Sequence, residues 1–464
     1  MSSSISICGR ATIVLLVGLS GCTIHPPGEF EERAAAVQMG KPFEKPTEIR
    51  EIPPLPANPT SDRLVEYALL NNADLEQRYW DWRSAIEQIP QDATQTTTVN
   101  VAAASTITNG HTSWGSSSLT LGNDPMTDIK WPGKLDAAAK QTLENARATG
   151  RRFIKAKYDL RYKVLRAYYD YALNAELIRL EQSNQRLLLT IAKVAEDRNR
   201  AGSTSGQRDV LKSSNEADLS GNDIANMRSQ LPSQRAAINA LLSRPAGAPL
   251  PVPTKLPASR RMVYRAEDLV EMAAKQNPEL VALADEIRGR GEGIRLAELQ
   301  YVPDFNLSLG TDLMGVTQSL LAQATIPIFR YEALNAAIAQ AEAKLRASEA
   351  MRRQVGNDLT AQVIADIAII RDAGRQLDLF DHTILPRARQ VVSVARTAFE
   401  TGDASQTDAA SLLNLLDDQR SLIAIERLAA KLRITQATYL AELESITTSD
   451  LTSLPHTDTR AAAQ

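Results

Sequence analysis

The sequence predicts a mainly α-helical protein with a small β part, built twice over, and three observations carry that prediction. A pattern recurs: Leu64-Val65-Glu66-Tyr67-Ala68 leading to Asn72-Ala73-Asp74-Leu75 returns as Leu269-Val270-Glu271-Met272-Ala273 leading to Asn277-Pro278-Glu279-Leu280. The same offset, about two hundred residues, carries Ala201-Gly202 with Ser205 onto Thr401-Gly402 with Ser405. Second, Ala, Leu, Arg, Glu and Gln are abundant while aromatics make up 5% of the chain, a balance that favours long helices over a sheet-rich core. Third, between Pro132 and Ala201 and again from Arg330 to Thr401 the chain meets one proline, Pro386. Each stretch would be on the order of 100 Å long if straight.

In chain order, residues 1–21 read as a signal peptide. Arg10 precedes a short apolar run, Ala11 to Leu19, which falls below the ~20 residues a permanent bilayer helix needs. The next residues, Leu19-Ser20-Gly21-Cys22, resemble a bacterial lipobox. That resemblance implies cleavage before Cys22, acylation of Cys22 and, with Thr23 rather than Asp after it, sorting to the outer membrane. The only other cysteine, Cys8, lies in the signal, so no disulfide can form within the mature chain.

Residues 22–60, with Pro53-Pro54-Leu55-Pro56 at their densest, are expected to form an extended linker. The first repeat, 61–248, opens with a helix from Ser61, read as its N-cap, to about Ile89 before Pro90. A β-hairpin follows at about 96–122, where Val99, Val101, Ala103, Ser105 and Ile107 alternate and Asn109-Gly110 supplies a tight turn. A long helix, 132–201, launches from Pro132; after a turn, a helix over 203–243 returns. A linker, 249–265, leads into the second repeat, 266–447. There the helix covers 266–299, and the hairpin covers about 304–326, with Phe305, Leu307 and Leu309 alternating and Gly315 turning. The long helix is 330–401 and the returning helix 405–447, before a flexible tail, 448–464.

Ile425, Leu428, Leu432, Tyr439, Leu443 and Ile446 follow a coiled-coil seam, and Ala336, Ala343 and Ala350 recur every seventh residue. In each repeat the two shorter helices together match the long one in length. Each long helix is therefore expected to pair with two short helices placed end to end, with the hairpin at one end of a rod and the Gly202 or Gly402 turn at the other.

In this order, twice over, these features resemble the TolC-type outer membrane factor family. The resemblance rests on Asn277-Pro278-Glu279-Leu280, Ile326-Pro327-Ile328-Phe329, Trp131-Pro132-Gly133-Lys134, the turn from Phe399 to Asp408, and the closing run Gln419 to Leu443 with Arg427 and Tyr439. It implies an internally duplicated, coiled-coil α-barrel and a four-strand share of a trimeric β-barrel. It also implies a homotrimer, a periplasmic adaptor (membrane fusion) protein and an inner-membrane pump as partners, and an outer-membrane location with the body in the periplasm. Independently, four strands are too few to close a barrel, since even the smallest membrane barrels use ~8. The strands carry few aromatics beyond Trp114 and Phe305, so thin aromatic girdles are expected and acylated Cys22 is expected to assist in holding the outer-membrane lipid.

At the periplasmic tip the resemblance places a gate around Gly202, Ser205 and Asp209 in the first repeat and Gly402, Ser405 and Asp408 in the second. Asp408 matches the family's constriction carboxylate, and three copies around an axis would repel one another and hold cations. As an ordinary residue, Asp408 would only complement a helix dipole, worth ~0.5 kcal/mol. Arg198, Arg200 and Arg208 crowd the first turn as candidates for adaptor binding or for latching onto Asp403 or Asp408.

The net charge is −3 with no basic run, which gives no reason to expect nucleic acid. Gly289, Gly291 and Gly293 lie in a helical stretch rather than after a strand, so they do not read as a nucleotide loop; they read as loosening that helix or allowing close packing. The four histidines are scattered and no metal spacing occurs. There is no hydrolase, Walker or zincin motif. No catalytic residue, cofactor or metal is expected. The reading is an exit duct for efflux or type I secretion, with a pore-less structural periplasmic lipoprotein as the alternative.

Overall fold

The computed structural model describes residues 23–46, 49–95, 99–105, 107–108, 111–112, 118–123, 128–201, 206–260, 262–312, 318–326, 328–401 and 412–451. The chain is mostly helical with a small antiparallel sheet, and it divides into two compact units. The first comprises residues 1–44, 77–154 and 278–356; the second comprises 45–76, 155–277 and 357–464.

The expected extended segment 22–60 holds a helix, α1, Glu29–Gly40, followed by a 3-10 turn at Lys41–Phe43. The reason is local. No proline occurs between Gly28 and Lys41, Glu29, Glu31 and Glu32 occupy the first turn where the helix dipole favours them, and alanines follow. Gly28, with φ of 94°, supplies the left-handed bend that starts the helix.

The helix expected over 61–89 is two helices, α2, Ser61–Asn71, and α3, Ala73–Ala93. Thr60, not Ser61, is the N-cap, accepting from the Arg63 amide at 3.4 Å. Asn72 has extended backbone and its Oδ1 accepts the Leu75 amide at 2.9 Å, ending one helix and capping the next. Pro90 lies inside α3 rather than stopping it. It cannot donate to the Ile86 carbonyl, and Arg33 Nη2 approaches that oxygen at 3.4 Å instead.

Strands β1, Val99–Ala104, and β4, Ser118–Asn123, pair antiparallel, as do the short β2, Ile107–Thr108, and β3, His111–Thr112. The long helix α4 runs Pro132–Arg200 and α5 returns over Gly206–Leu241. In the second repeat Asn277 breaks the expected 266–299 helix into α6, Ala266–Gln276, and α7, Pro278–Leu299. Strands β5, Asp304–Asp312, and β6, Gln318–Thr325, complete a four-stranded sheet of order β1-β4-β5-β6.

The stretch expected as one helix, 330–401, is α8, Tyr331–Leu379, a π-helical turn at Phe380–Ile384, and α9, Leu385–Thr401. Pro386 explains the interruption: it lacks an amide donor and its ring crowds the carbonyl four residues back, so the helix widens and Leu385 donates to Phe380. The last helix, α10, is Leu412–Thr447.

Its seam also differs from the expected one. Leu428 is 43% exposed, whereas Leu415, Leu422, Ala429, Gln436 and Leu443, every seventh residue, are buried. α10 is apolar on more than one side, so a single stripe could not be read from its sequence. Ala336, Ala343 and Ala350 are exposed within this chain.

In the first unit the core is aromatic. Trp82 stacks on Phe153 with centroids 5.7 Å apart and donates Nε1 to Glu32 at 2.9 Å, while Tyr79 lies between Phe43 and Phe153. Gly40 sits where a side chain would collide with the Tyr79 ring. Of the three helical glycines, Gly289 and Gly293 pack closely on Gln141 and its neighbours in α4, whereas Gly291 faces open space. Close packing is therefore the use the first unit makes of two of them.

Candidate functional site

The sheet, in the first unit, has two unlike faces because successive side chains alternate. Val101 pairs with Leu121, Leu121 with Leu309, and Leu309 with Leu320, giving an apolar rung across all four strands. Ala103, Leu119, Phe305, Leu307, Ala322 and Ala324 share that face by the same registers. The other face carries the rung Ala102, Thr120, Gly310 and Ser319, with Asn306 opposite Gln323. Every residue of β6 is exposed, Leu320 at 70%. No helix among the described residues is long and apolar enough to cross a membrane.

The base of the sheet is clamped by Asp304. Its Oδ1 accepts the Trp131 amide at 3.0 Å and its Oδ2 accepts Lys134 Nζ at 2.8 Å, while Ile129 and Phe305 form a β-bridge. Trp131 and Phe305 lie 6.2 Å apart, Tyr301 and Tyr331 6.3 Å apart, and the Phe329 side chain is wholly exposed. Among the described residues, aromatics thus gather about the base of the sheet. Most of these aromatics fall outside the strands, in and beside the Trp131-Pro132-Gly133-Lys134 and Ile326-Pro327-Ile328-Phe329 motifs.

At the chain's start, Ile24 donates its amide to the Ala93 carbonyl at 3.1 Å, and the Thr23 and Thr94 hydroxyls lie 3.0 Å apart. The residues directly after Cys22 are thereby tied just before β1. Cys22 itself lies outside the described residues, as do Gly202, Ser205, Gly402, Asp403, Ser405 and Asp408.

In the second unit, Arg198 near the end of α4 donates Nη2 to the Phe399 carbonyl, and its guanidinium stands 4.4 Å from the Phe399 ring centroid. Phe399 is buried with Leu188, Ile191, Ala217, Ala395, Leu412, Leu415 and Leu416, a cluster joining α4, α5, α9 and α10. Arg198 therefore grips the other repeat's long-helix end through Phe399. Arg200 pairs with Glu196 at 2.5 Å on its own helix, Arg208 is exposed, and Asp209 lies in the first turn of α5. The structure brings Arg198 to a partner and leaves Arg200 on its own helix.

Deeper in this unit, Glu181 of α4 accepts Ser220 Oγ at 2.6 Å and Asn184 Nδ2 at 2.9 Å and pairs with Arg427, while Gln419 Nε2 donates to Asn184 at 2.9 Å. Burial works to raise the Glu181 pKa, but the hydrogen bonds from Ser220 and Asn184, with Arg427, outweigh it and hold the carboxyl below the usual glutamate range. Among the described residues no group of three His, Cys, Asp or Glu side chains could hold a metal ion.

Residues 269–447 match the family model for the outer membrane efflux protein. None of the curated protein sequences compared matches the chain. Among solved structures, CusC is similar at 18% identity over 83% of this chain and 91% of that chain, with a TM-score of 0.70. The outer membrane protein VceC of Vibrio cholerae is similar at 16% identity over 83% and 95% with a TM-score of 0.68. The open-state MtrE outer membrane channel of Neisseria gonorrhoeae is similar at 17% identity over 84% and 89% with a TM-score of 0.69. The two-faced sheet, the duplicated long helices and these matches agree: residues 269–447 belong to the outer membrane efflux protein family, and the chain has the fold of the TolC-type outer membrane factors.

Proposed function

We propose that this protein is the outer-membrane exit duct of a tripartite efflux or type I secretion system, working as a homotrimer with a periplasmic adaptor and an inner-membrane pump. The observation that carries the proposal is the open, two-faced sheet. β1 and β6 lie at its edges, and exposed strand edges with an apolar face demand either pairing or protection. Closing three copies into one barrel pairs every edge, turns the leucine rung toward lipid and lines the lumen with Thr120, Ser319, Asn306 and Gln323. The exposed Ala336, Ala343 and Ala350 stripe of α8 then meets a helix of a neighbouring copy. The aromatics about the base of the sheet suit a membrane interface.

Acylated Cys22 supplies a second anchor, supported by the tie of Thr23 and Ile24 to the residues before β1. The duct needs no chemistry of its own. Native mass spectrometry in mild detergent should find a trimer, and planar bilayers should show conducting channels. A trimer that assembles but never conducts would favour the structural lipoprotein instead.

A further inference from the structure

In the second unit, α5 and α9 each keep one flank off the rest of the chain. On α5 the buried side is Ser213, Ala217, Ser220 and Ile224, with Ser220 Oγ donating to Glu181 of α4. The opposite side, Leu211, Asn215, Asp218 and Asn222, is exposed, Leu211 at 60%. Spaced four, three and four residues apart, these form one stripe. On α9, Arg389 turns to α10 and pairs with Glu426 at 2.8 Å, whereas Arg387, Val391 and Val394 share a different side and are exposed, the valines at 50% and 52%.

The two flanks match in kind and in register. α4 and α9 both run antiparallel to α10 and so parallel to each other, while α5 returns along α4 from Ser220 beside Glu181 to Met227 beside Asn174. Arg198 of α4 reaches Phe399 of α9. Measured along α4 between these contacts, Leu211 lies at the level of Val394 and Asp218 at that of Arg387, each within a turn of helix. Copies related by rotation about an axis along the helices keep that level. Seven residues separate Leu211 from Asp218, and seven separate Arg387 from Val394. Antiparallel flanks so spaced bring leucine to valine and aspartate to arginine together.

The geometry points to a second copy of this chain as the occupant: α9 of one copy seats on α5 of the next, with Val394 and Val391 against Leu211 and Arg387 beside Asp218. The flanks are different surfaces of one chain, so the contact is heterologous and a rotation can close it into a ring. Covering the apolar side chains supplies the attraction. The hydrated ion pair adds little strength but fixes the register, as flanking charges do in coiled coils. This contact rests on the homotrimer reading and assigns the helices that meet in it.

Disulfide cross-linking of the full-length protein in mild detergent tests this. Asp218→Cys combined with Arg387→Cys should give linked dimers and trimers on a non-reducing gel after oxidation. Each single variant, carrying the same native cysteines, should stay at the wild-type background, as should Asp218→Cys with Arg396→Cys, which lies round the helix from Arg387. Asp218→Arg should raise the monomer fraction in native mass spectrometry about threefold, the scale of an exposed ion pair, and adding Arg387→Asp should restore the trimer. Trimers without cross-links above background, equal linking through Arg396→Cys, or no rescue by the reversed pair would overturn this contact and leave the duct reading standing, with the flank free for another partner such as the adaptor. A wild type that stays monomeric would remove both. Should the double-cysteine protein fail to assemble, the charge reversal and its rescue decide.

Discussion

Asn72 and Asn277 make one and the same bond in the two repeats. Asn72 Nδ2 donates to the Leu241 carbonyl and Asn277 Nδ2 to the Ile446 carbonyl, each at 2.9 Å and each across 169 residues. Just beyond those carbonyls the chain turns through left-handed residues, Ser243 at φ 51° and Thr448 at φ 52°. Each asparagine therefore ends its own helix and caps the C-terminus of the returning one. Asn277→Ala should lower stability by about 1–3 kcal/mol, the cost of a stranded buried carbonyl. Asn72→Ala should lower stability as well, since it also removes the cap on Leu75. Guanidinium melts followed by circular dichroism check both; unchanged midpoints would contradict the clasp.

Buried Glu181 pairs with a half-buried Arg427, and removing one partner is not equivalent to removing both. Arg427→Met should cost about 1–3 kcal/mol, because the buried Glu181 carboxylate loses its cation while keeping Ser220 and Asn184, whereas Glu181→Met with Arg427→Met should recover much of the loss. The folded Glu181 pKa is held below its unfolded value. Its contribution is thus present above the unfolded pKa and is lost as pH falls through the folded one. A double-mutant cycle measured at neutral and acidic pH should show coupling only at the former.

The sequence carried the duplication, the hairpins and the long helices because these depend on period, proline placement and turn chemistry, all of which are local. The break at Asn72 was not legible, since asparagine is tolerated within helices and its capping role depends on the carbonyl of Leu241. Nor was the π-turn, although Pro386 marked its place. Helix α1 was obscured by the prolines flanking it. At the tip, Arg198 stood out by charge, but its partner did not: a buried phenylalanine carbonyl and ring have no sequence signature.

Asp366 of α8 is 2% exposed, one of its oxygens has no partner, and burial, with the Glu442 charge adding to it, raises its pKa to about 7. A folded pKa above the unfolded value means the folded state holds the extra proton. Stability from this group is complete below the unfolded pKa and is lost as pH rises through about 7. Asp366→Asn should remove that loss, raising stability near pH 8 by on the order of 2–4 kcal/mol and leaving pH 4 little changed. Melts across this range decide it, and parallel pH profiles for wild type and variant would reject it.

Arg198 and Asp408 should leave different signatures in single-channel recordings. Arg198→Ala removes both the hydrogen bond and the cation–π contact to Phe399, loosening the tip and raising conductance without changing ion preference. If three copies of Asp408 ring a narrow, poorly screened mouth, as the duct reading proposes, Asp408→Asn should weaken cation preference and divalent block. Unchanged selectivity and block in an assembled Asp408→Asn channel would reduce Asp408 to a helix-end charge.

Cys22→Ser tests the anchor. If Cys22 is the acylated first residue of the mature chain, the serine variant should accumulate as uncleaved precursor or mislocalised protein. The sheet offers a membrane contact of its own through Val101, Leu121, Leu309 and Leu320. Leu320→Asp together with Cys22→Ser should therefore release far more protein from outer-membrane fractions than either change alone. Mass spectrometry of the purified wild-type N-terminus is the direct check, and an unmodified Cys22, or cleavage at another residue, would remove the lipid from the account while leaving the barrel intact.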